Sequence, residues 1–303
     1  MLPTFPNFKK LELSDRTSIE SYTQKFDPYS NYNFIEMWSW NIHQNLEFCE
    51  LNGNLIIRPN DYFDNEHSLS YLGNNDLKDT VENLFAYLIL QGVTEPKLKY
   101  IPEVSLSGIE LDRYIIEIDL ANCDYIYNIS DLSKYEGPQY KHKRKLFNRF
   151  ERNHPRLQLE RIDVSDVSQK NQLFEFSEQW MQEKTGDEFL RMSMRDELKA
   201  INRFFDGGFD SVVTLALYED KNLLGYQIFS LLLGNYTICH FGKSIRSLNG
   251  SFEYMMSATA SILKGMDVKY LNTAEDLGLL QLRSTKNSYR PINFLRKYTI
   301  RQR

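Results

Sequence analysis

The sequence predicts a mixed α/β fold built as a tandem duplication of two related units. Three observations carry this. Over residues 157–303 the apolar periodicities follow the order β-α-α-β-β-β-α-β-α-β. The first half repeats parts of that order, and Leu11-Glu-Leu-Ser-Asp15 returns 151 residues later as Ile162-Asp-Val-Ser-Asp166, each ahead of a helical segment. The length of 303 residues suits two domains. The expected divisions are an N-terminal unit over 1–122, a basic connecting segment over 123–156 and a C-terminal unit over 157–303.

In the second half, Leu157–Ile162 alternates as a strand, and Asp163–Asp166 is a turn with an N-cap candidate. Leu173, Phe176 and Trp180 then follow helical spacing, Gly186 interrupts, and a second helix covers Met194–Phe205 before Gly207-Gly208 stops it. Strands Ser211–Tyr218, Leu223–Leu233 and Tyr236–Lys243 follow, the first two joined by the turn Glu219–Asn222. A helix through Phe252, Met255, Met256, Thr259, Ile262 and Leu263 closes at Gly265. A short strand at Lys269–Leu271, a helix over Leu277–Asn287 and a strand over Ile292–Ile300 complete the half, with Pro291 ending the helix. In the first half, Phe48–Ile57 reads as a hairpin around Asn52-Gly53 and Asp76–Gln91 as a helix. Lys97–Ile101 and Tyr114–Ile118 read as strands.

Composition narrows the function classes. Aromatic residues make up 14% of the chain, enough to fill two cores. No apolar run is long enough to span a bilayer, and the prolines of MLPTFPNFKK argue against a secretory signal. Cys49, Cys123 and Cys239 are odd in number and scattered, which fits a reducing cytoplasm better than a disulfide framework. The histidines lack HxxxH or HExxH spacing, so no metal site is expected. Neither a P-loop, a GxGxxG turn nor a GxSxG elbow occurs. His240, on an apolar strand, reads as a core histidine, and Trp38 and Trp40 as core or interface residues.

Two segments concentrate chemistry. Tyr140–Arg156 holds seven Lys/Arg and one acid, a local charge of +6 on a chain of net −5. As a helix it would set Lys141, Lys145, Arg149 and Arg152 on one face, with Leu146, Phe147 and Phe150 on the buried side. Such a face is either an anion-binding surface or a solvated linker helix paired with the acidic remainder. In Asn272–Pro291, a strand gives way to a helix with Glu275 and Asp276 at its expected N-terminus and Arg283, Lys286 and Arg290 along one face. Asp276 reads as an N-cap or as a carboxylate acting on an amine or hydroxyl. The cations read as helix-end charges or as a phosphate or carboxylate site.

The element order of the second half looks like the GNAT acyltransferase fold. The motifs Asp124-Tyr-Ile-Tyr127, Leu132, Gly137 and Tyr140-Lys-His-Lys-Arg144, with Asn272, Glu275-Asp276-Leu277-Gly278, Leu282-Arg283, Lys286, Ser288-Tyr289 and Pro291, add a closer match. They resemble the C-terminal domain of lysylphosphatidylglycerol synthases and its stand-alone bacterial relatives, as do Phe26-Asp-Pro28, Ser30-Asn-Tyr32 and Trp38-Ser-Trp40. The resemblance implies tandem GNAT-like units with a cleft or tunnel in or between them. It also implies transfer of an aminoacyl group from aminoacyl-tRNA to an amine or hydroxyl, such as a lipid headgroup or a peptide. Related two-unit enzymes extend peptidoglycan bridge peptides.

On this basis Glu275, Asp276 and Tyr289 are the candidate catalytic residues. Lys141, His142, Lys143, Arg144, Asn272, Arg283 and Lys286 are the candidate substrate-binding residues. No tightly bound cofactor is expected, the donor being aminoacyl-tRNA or acyl-CoA. The expected location is the cytoplasm, with peripheral contact at the inner membrane face as an extension. Two departures matter. No multi-span membrane domain is expected from these 303 residues, and Lys145 stands where the family usually has Asn. In addition, Arg246-Ser-Leu-Asn-Gly250 does not fit the [RQ]xxGx[GA] loop that holds coenzyme A pyrophosphate at a helix N-terminus. The other readings are an acyl-CoA-dependent N-acetyltransferase and a non-catalytic ligand- or RNA-binding protein.

Overall fold

A computed structural model describes residues 2–59, 67–110, 112–183, 188–209 and 211–303, the side chains of 188–193 excepted. The chain opens with β1 (Lys9–Lys10), α1 (Arg16–Thr23), α2 (Phe34–Trp40), β2 (Glu47–Leu51), β3 (Asn54–Arg58), β4 (Ser70–Leu72), α3 (Leu77–Leu90), β5 (Lys97–Pro102) and β6 (Tyr114–Ile118). It continues through β7 (Asp124–Asn128), α4 (Ile129–Lys134), α5 (Lys141–Asn153), β8 (Leu157–Ile162), α6 (Val167–Gln182), α7 (Glu188–Asp206), β9 (Val212–Glu219) and β10 (Asn222–Leu231). The last elements are β11 (Tyr236–Ser244), α8 (Ser251–Gly265), β12 (Tyr270–Asn272), α9 (Leu280–Ser288), β13 (Asn293–Leu295) and β14 (Lys297–Gln302).

Local chemistry sets many of these boundaries. Asn52 and Gly53 both take positive φ, so the β2–β3 hairpin closes in a two-residue turn of the kind that matches strand twist. Asp220 and Lys221 do the same between β9 and β10, without a glycine. Asp166 caps α6, its carboxylate accepting the Gln169 N–H at 2.9 Å. Asn33 and Asn128 cap α2 and α4 in the same way.

The chain divides into two compact units: Met1–Asp124 with Ala274–Leu280 and Phe294–Arg303, and Tyr125–Thr273 with Gln281–Asn293. In the first, β1-β2-β3-β4 form an antiparallel sheet, and an isolated parallel bridge, Leu69 to Leu98, leads to a second sheet ordered β5-β14-β6. Leu77, Val81, Leu84, Phe85 and Leu88 form the apolar stripe of α3, packed on Ile56, Tyr71, Leu98 and Ile300. In the second unit the sheet order is β13-β7-β12-β11-β10-β9-β8. There Phe150, Leu217, Leu224 and Met255 form a core cluster between helices and sheet.

The two orders are alike, and each includes a strand from the other half of the sequence. β14, at the end of the chain, lies between β5 and β6, whereas β7, which follows the first unit, lies between β12 and β13. The expected boundaries at 122/123 and 156/157 differ from the observed division for this reason. Residues from Tyr125 on, including the basic segment, group with the second unit, and the last strand groups with the first. A strand's partner across the sheet is not encoded by its neighbours in sequence.

Two element expectations are corrected. The helix expected from Leu277 begins at Leu280, because Leu277 and Gly278 both have positive φ, which no right-handed helix accommodates. The strand expected over Ile292–Ile300 is two strands, β13 and β14, parted at Arg296. The interruption expected at Gly186 lies outside the described residues.

Candidate functional site

In the second unit, β11 and β12 run parallel and pair only from Tyr236/Tyr270 to Ile238/Asn272. Immediately beyond, the register against β10 slips: Phe229 faces Cys239 but Ile228 faces Phe241, leaving His240 as an extra residue. A bulge at that point bends β11, and the rest of the strand, Cys239–Ser244, continues without a β12 partner. The strands therefore part at fully buried Asn272, one of the predicted binding residues. His240 is held as a core histidine, Nε2 lying 2.7 Å from the Ser230 hydroxyl.

Lys286 joins Asn272 at this end of β12. Its ammonium donates to the Thr273 carbonyl and sits 5.3 Å from the centre of the Tyr125 ring. The Tyr127 hydroxyl in turn donates to the Lys286 carbonyl at 2.9 Å. Arg283 is half-buried one turn earlier on α9.

The basic segment is helical as expected. Lys141, His142, Lys145 and Arg152 are exposed and Arg149 is half-buried. Arg144 donates to the carbonyls of Tyr135 and Gly137, tying α5 to the segment before it. Lys143 turns inward. It is 8% exposed, 3.1 Å from Glu253 Oε1 and 3.6 Å from the centre of the Tyr289 ring. Burial holds its pKa below the ordinary lysine value, with Glu253 opposing the shift. Tyr289 is buried too, its hydroxyl donating to Glu253 Oε1 at 3.2 Å, while the Tyr140 hydroxyl donates to the Tyr289 carbonyl at 3.1 Å. Burial, and then its neighbours Tyr135 and Glu253, push the Tyr289 phenol well above its usual range. Of the predicted site residues, Lys143 and Tyr289 thus belong to a packed cluster joining α5 and α8 with the residue that follows α9.

The start of α8 is also covered. Gly250, with φ +101°, precedes it, and a Cβ there would lie 2.7 Å from the Leu146 carbonyl oxygen and 3.0 Å from Phe150 Cβ. Helix α5 packs that closely against the turn into α8. The first helical residue, Ser251, spends its hydroxyl on the Ile245 carbonyl at 2.7 Å.

Glu275 and Asp276 belong to the first unit. Asp276 is fully buried and closes a turn, its Oδ1 accepting the Gly278 N–H at 2.8 Å and its carbonyl the Leu279 N–H at 2.9 Å. Because α9 starts at Leu280, neither acid occupies a helical first turn. Glu275 lies beside a buried ionic cluster that the sequence reading missed. Lys297, fully buried, donates to Asp124 Oδ1 at 2.6 Å, to Ser30 Oγ at 2.9 Å and to Asn31 Oδ1, which uses all three ammonium protons. Asp124 Oδ2 accepts the Ser30 N–H at 2.7 Å. Ser30 Oγ lies 2.7 Å from Asp124 Oδ1 and 2.9 Å from Glu275 Oε2, so its one proton serves one carboxylate at a time. Glu275 stands 3.6 Å from the Lys297 ammonium. Burial pulls the Lys297 pKa down, but Asp124 and then Glu275 outweigh it, and the net shift is upward. Ser30 and Asp124 lie within motifs the sequence presents, whereas Lys297, inside Arg296-Lys-Tyr298, carries no signal that separates it from a surface lysine.

Among the described residues, no group of three or more His, Cys, Asp or Glu is placed to hold a metal, and no helix is long and apolar enough to cross a membrane.

Comparison with known proteins follows the same lines. The family described as "Phosphatidylglycerol lysyltransferase, C-terminal" matches residues 25–301. No curated protein matches the chain in sequence. A conserved Bacteroides thetaiotaomicron protein of unknown function superposes with a TM-score of 0.79 at 22% identity, covering 100% of both chains. The structure of L-PGS from Bacillus licheniformis gives 0.62 at 13% identity, covering 95% of this chain and 91% of that one. FemX gives 0.53 at 8% identity, covering 97% and 96%. At these identities the likenesses establish the fold alone, which this chain shares with those proteins.

Proposed function

The chain belongs to the phosphatidylglycerol lysyltransferase C-terminal family, and from that premise we propose that it transfers an aminoacyl group from aminoacyl-tRNA to an amine or hydroxyl acceptor, such as a lipid headgroup or a peptide. The observation that carries the choice of donor is the seating of α5 on the turn into α8. In coenzyme A-dependent GNAT enzymes that turn holds the pyrophosphate on free amides. Here Leu146 and Phe150 crowd Gly250, and the neighbouring sequence lacks the usual loop. The same helix presents Lys141, Lys145 and Arg152 to solvent, a row suited to the phosphates of a long polyanion.

In this reading the acceptor attacks the ester carbonyl directly. The bond to the tRNA 3′ oxygen breaks, and that oxygen leaves with a proton. The parting of β11 and β12 is the place for the carbonyl. Glu275, three residues beyond the end of β12 in sequence, is assigned to orienting or deprotonating the acceptor. Arg283 and Lys286 are assigned to a phosphate or carboxylate on the acceptor. Lys143, Tyr289 and Asp276 are assigned to holding the framework.

Thermal stabilisation by charged tRNA, uncharged tRNA and acetyl-coenzyme A, at low and high salt, tests the donor. A salt-sensitive shift with charged tRNA that exceeds the shift with uncharged tRNA is expected. A shift with acetyl-coenzyme A alone would replace this reading by an acyl-CoA-dependent one, and equal shifts with both tRNAs would favour simple RNA binding. In a transfer assay, Glu275→Gln should lower the rate by roughly 100-fold or more. Full activity in that variant sinks its assignment.

A further inference from the structure

β6 ends the first unit's second sheet, and its backbone shows which groups face out. The Asp119 N–H donates to the Lys297 carbonyl at 2.8 Å, and the Arg113 carbonyl accepts the Arg303 N–H at 3.1 Å. With the register Glu117 to Thr299 and Ile115 to Arg301, the odd-numbered residues turn their N–H and C=O groups to β14. Those of Tyr114, Ile116 and Ile118 point the other way, along the sheet edge. The edge is also apolar, with Ile115 38% and Ile118 41% exposed. β8, at one end of the second unit's sheet, differs: it carries Glu160 and Arg161, and none of its apolar residues is among the exposed large ones. Charges on an edge strand discourage pairing, and β8 has that protection in fuller measure than β6.

We propose that β6 pairs with β6 of a second copy of this chain, antiparallel and centred on Ile116, joining two three-stranded sheets into one of six. The register is self-complementary in two ways. Placing Ile116 on the two-fold axis sets Tyr114 opposite Ile118, so every outward N–H and C=O of one strand meets an outward group of the other. It also sets Arg113 opposite Asp119 at both ends, in the more closely spaced type of pair. Arg113 has donors to spare beyond its contacts with Glu82 and Glu110. A slip of one residue would set outward backbone groups opposite inward ones, and a slip of two would either oppose Glu117 to Glu117 or pair Arg113 with Glu117 and leave Asp119 without its cation. The occupant is thus another copy rather than an unrelated strand. The edge is short against a standard interface of about 1,600 Å², so a dissociation constant on the order of 100 μM is expected.

Sedimentation velocity of the full chain from about 10 μM to about 1 mM brackets that constant. The expected result is a mass rising from 35.9 kDa toward twice that value. Over the same range, hydrogen exchange should slow at the amides of Tyr114, Ile116 and Ile118 and stay unchanged at Ile115 and Glu117, which β14 already protects. Asp119→Arg should return the chain to monomer, and adding Arg113→Asp should restore the dimer by exchanging the charges. Ile118→Lys, at an exposed position, is the second disrupting variant should Asp119→Arg perturb the neighbouring turn. A monomer throughout the range overturns the proposal. So does a dimer whose exchange at the three outward amides is unchanged, or one that survives both Asp119→Arg and Ile118→Lys.

Discussion

Each unit carries a fourth strand parallel to its fifth, and the two units treat that junction differently. In the first, β4 has three residues and the approach to β5 is a single bridge, Leu69 to Leu98. In the second, β11 has nine residues, pairs with β12 over three of them and then bulges at His240. One order of elements thus gives a short junction in one unit and an open strand edge in the other. The exchanged strands differ as well. β7 begins with Asp124 and β14 with Lys297, and these two first residues make the buried ion pair of the first unit. The second unit sets a largely buried ion pair, Lys143 with Glu253, between helices. The first unit holds a buried ionic clasp between the first residues of β7 and β14, whereas the second leaves β11 beyond Ile238 without a β12 partner.

The comparison can be broken most directly at the clasp. Lys297→Met would leave Asp124 buried without its cation, at about 3–5 kcal/mol. Thermal melting should show a loss of roughly 10 °C or more, with partial recovery in Lys297→Met/Asp124→Asn. An unchanged melting temperature would remove the clasp from the account of the first unit. The second unit is tested at the turn into α8. Gly250→Ala meets both positive φ and the Leu146 carbonyl, and should cost about 2 kcal/mol or more. Gly265→Ala, where a Cβ meets nothing within 4 Å, should be neutral or stabilising by up to about 1 kcal/mol.

Alkaline pH acts on both units. Burial, with Glu50 adding to it, pushes the Tyr22 phenol up to about 12, and burial, with Asp131 adding to it, does the same for Tyr140. These groups keep their protons when folded at pH values where the unfolded chain has lost them. Their contribution is therefore complete below about pH 10 and declines as pH rises toward 12. Lys297, also shifted upward, acts with the same sign: its contribution is complete below the unfolded lysine value and is lost as pH rises through the folded one. The melting temperature should fall steadily above about pH 10, and a flat profile would contradict the burial of these groups. The smallest effect on stability is expected for Lys141→Glu/Lys145→Glu/Arg152→Glu on the exposed face of α5, within about 0.5 kcal/mol. The triple variant should nonetheless weaken tRNA binding by about tenfold or more and flatten its salt dependence. Unchanged binding would send the donor elsewhere.

Much of the fold is legible in the sequence. The spacing of Leu173, Phe176 and Trp180, the Asn52-Gly53 turn and the alternation in β9–β11 each follow from periodicity over neighbouring residues. The basic helix was legible for the same reason, including the outward face of Lys141, Lys145 and Arg152. Less legible was which charges would be buried. Lys143 sits in the same run as Lys141 and Lys145 and differs from them only by a rotation of about 200°, two residues' worth, around the helix. Tyr289, a candidate for the chemistry, donates to Glu253, a partner that no spacing in the sequence announces. The helix start at Leu280 was missed because backbone φ at Leu277, a residue with no special freedom, is set by the turn that Asp276 closes.

By itself the sequence determined the order of the elements, the repeat, the family and the surface charge of α5, since these depend on residues within a few positions of one another. Tertiary structure alone decided that β7 and β14 would complete sheets begun in the other half of the sequence. It also brought Ser30, Asp124, Glu275 and Lys297 together from positions up to 267 residues apart. The reason is physical. A buried lysine is tolerable only when carboxylates and hydrogen-bond acceptors converge on it from separate segments of the chain, and convergence in space leaves no period in the chain.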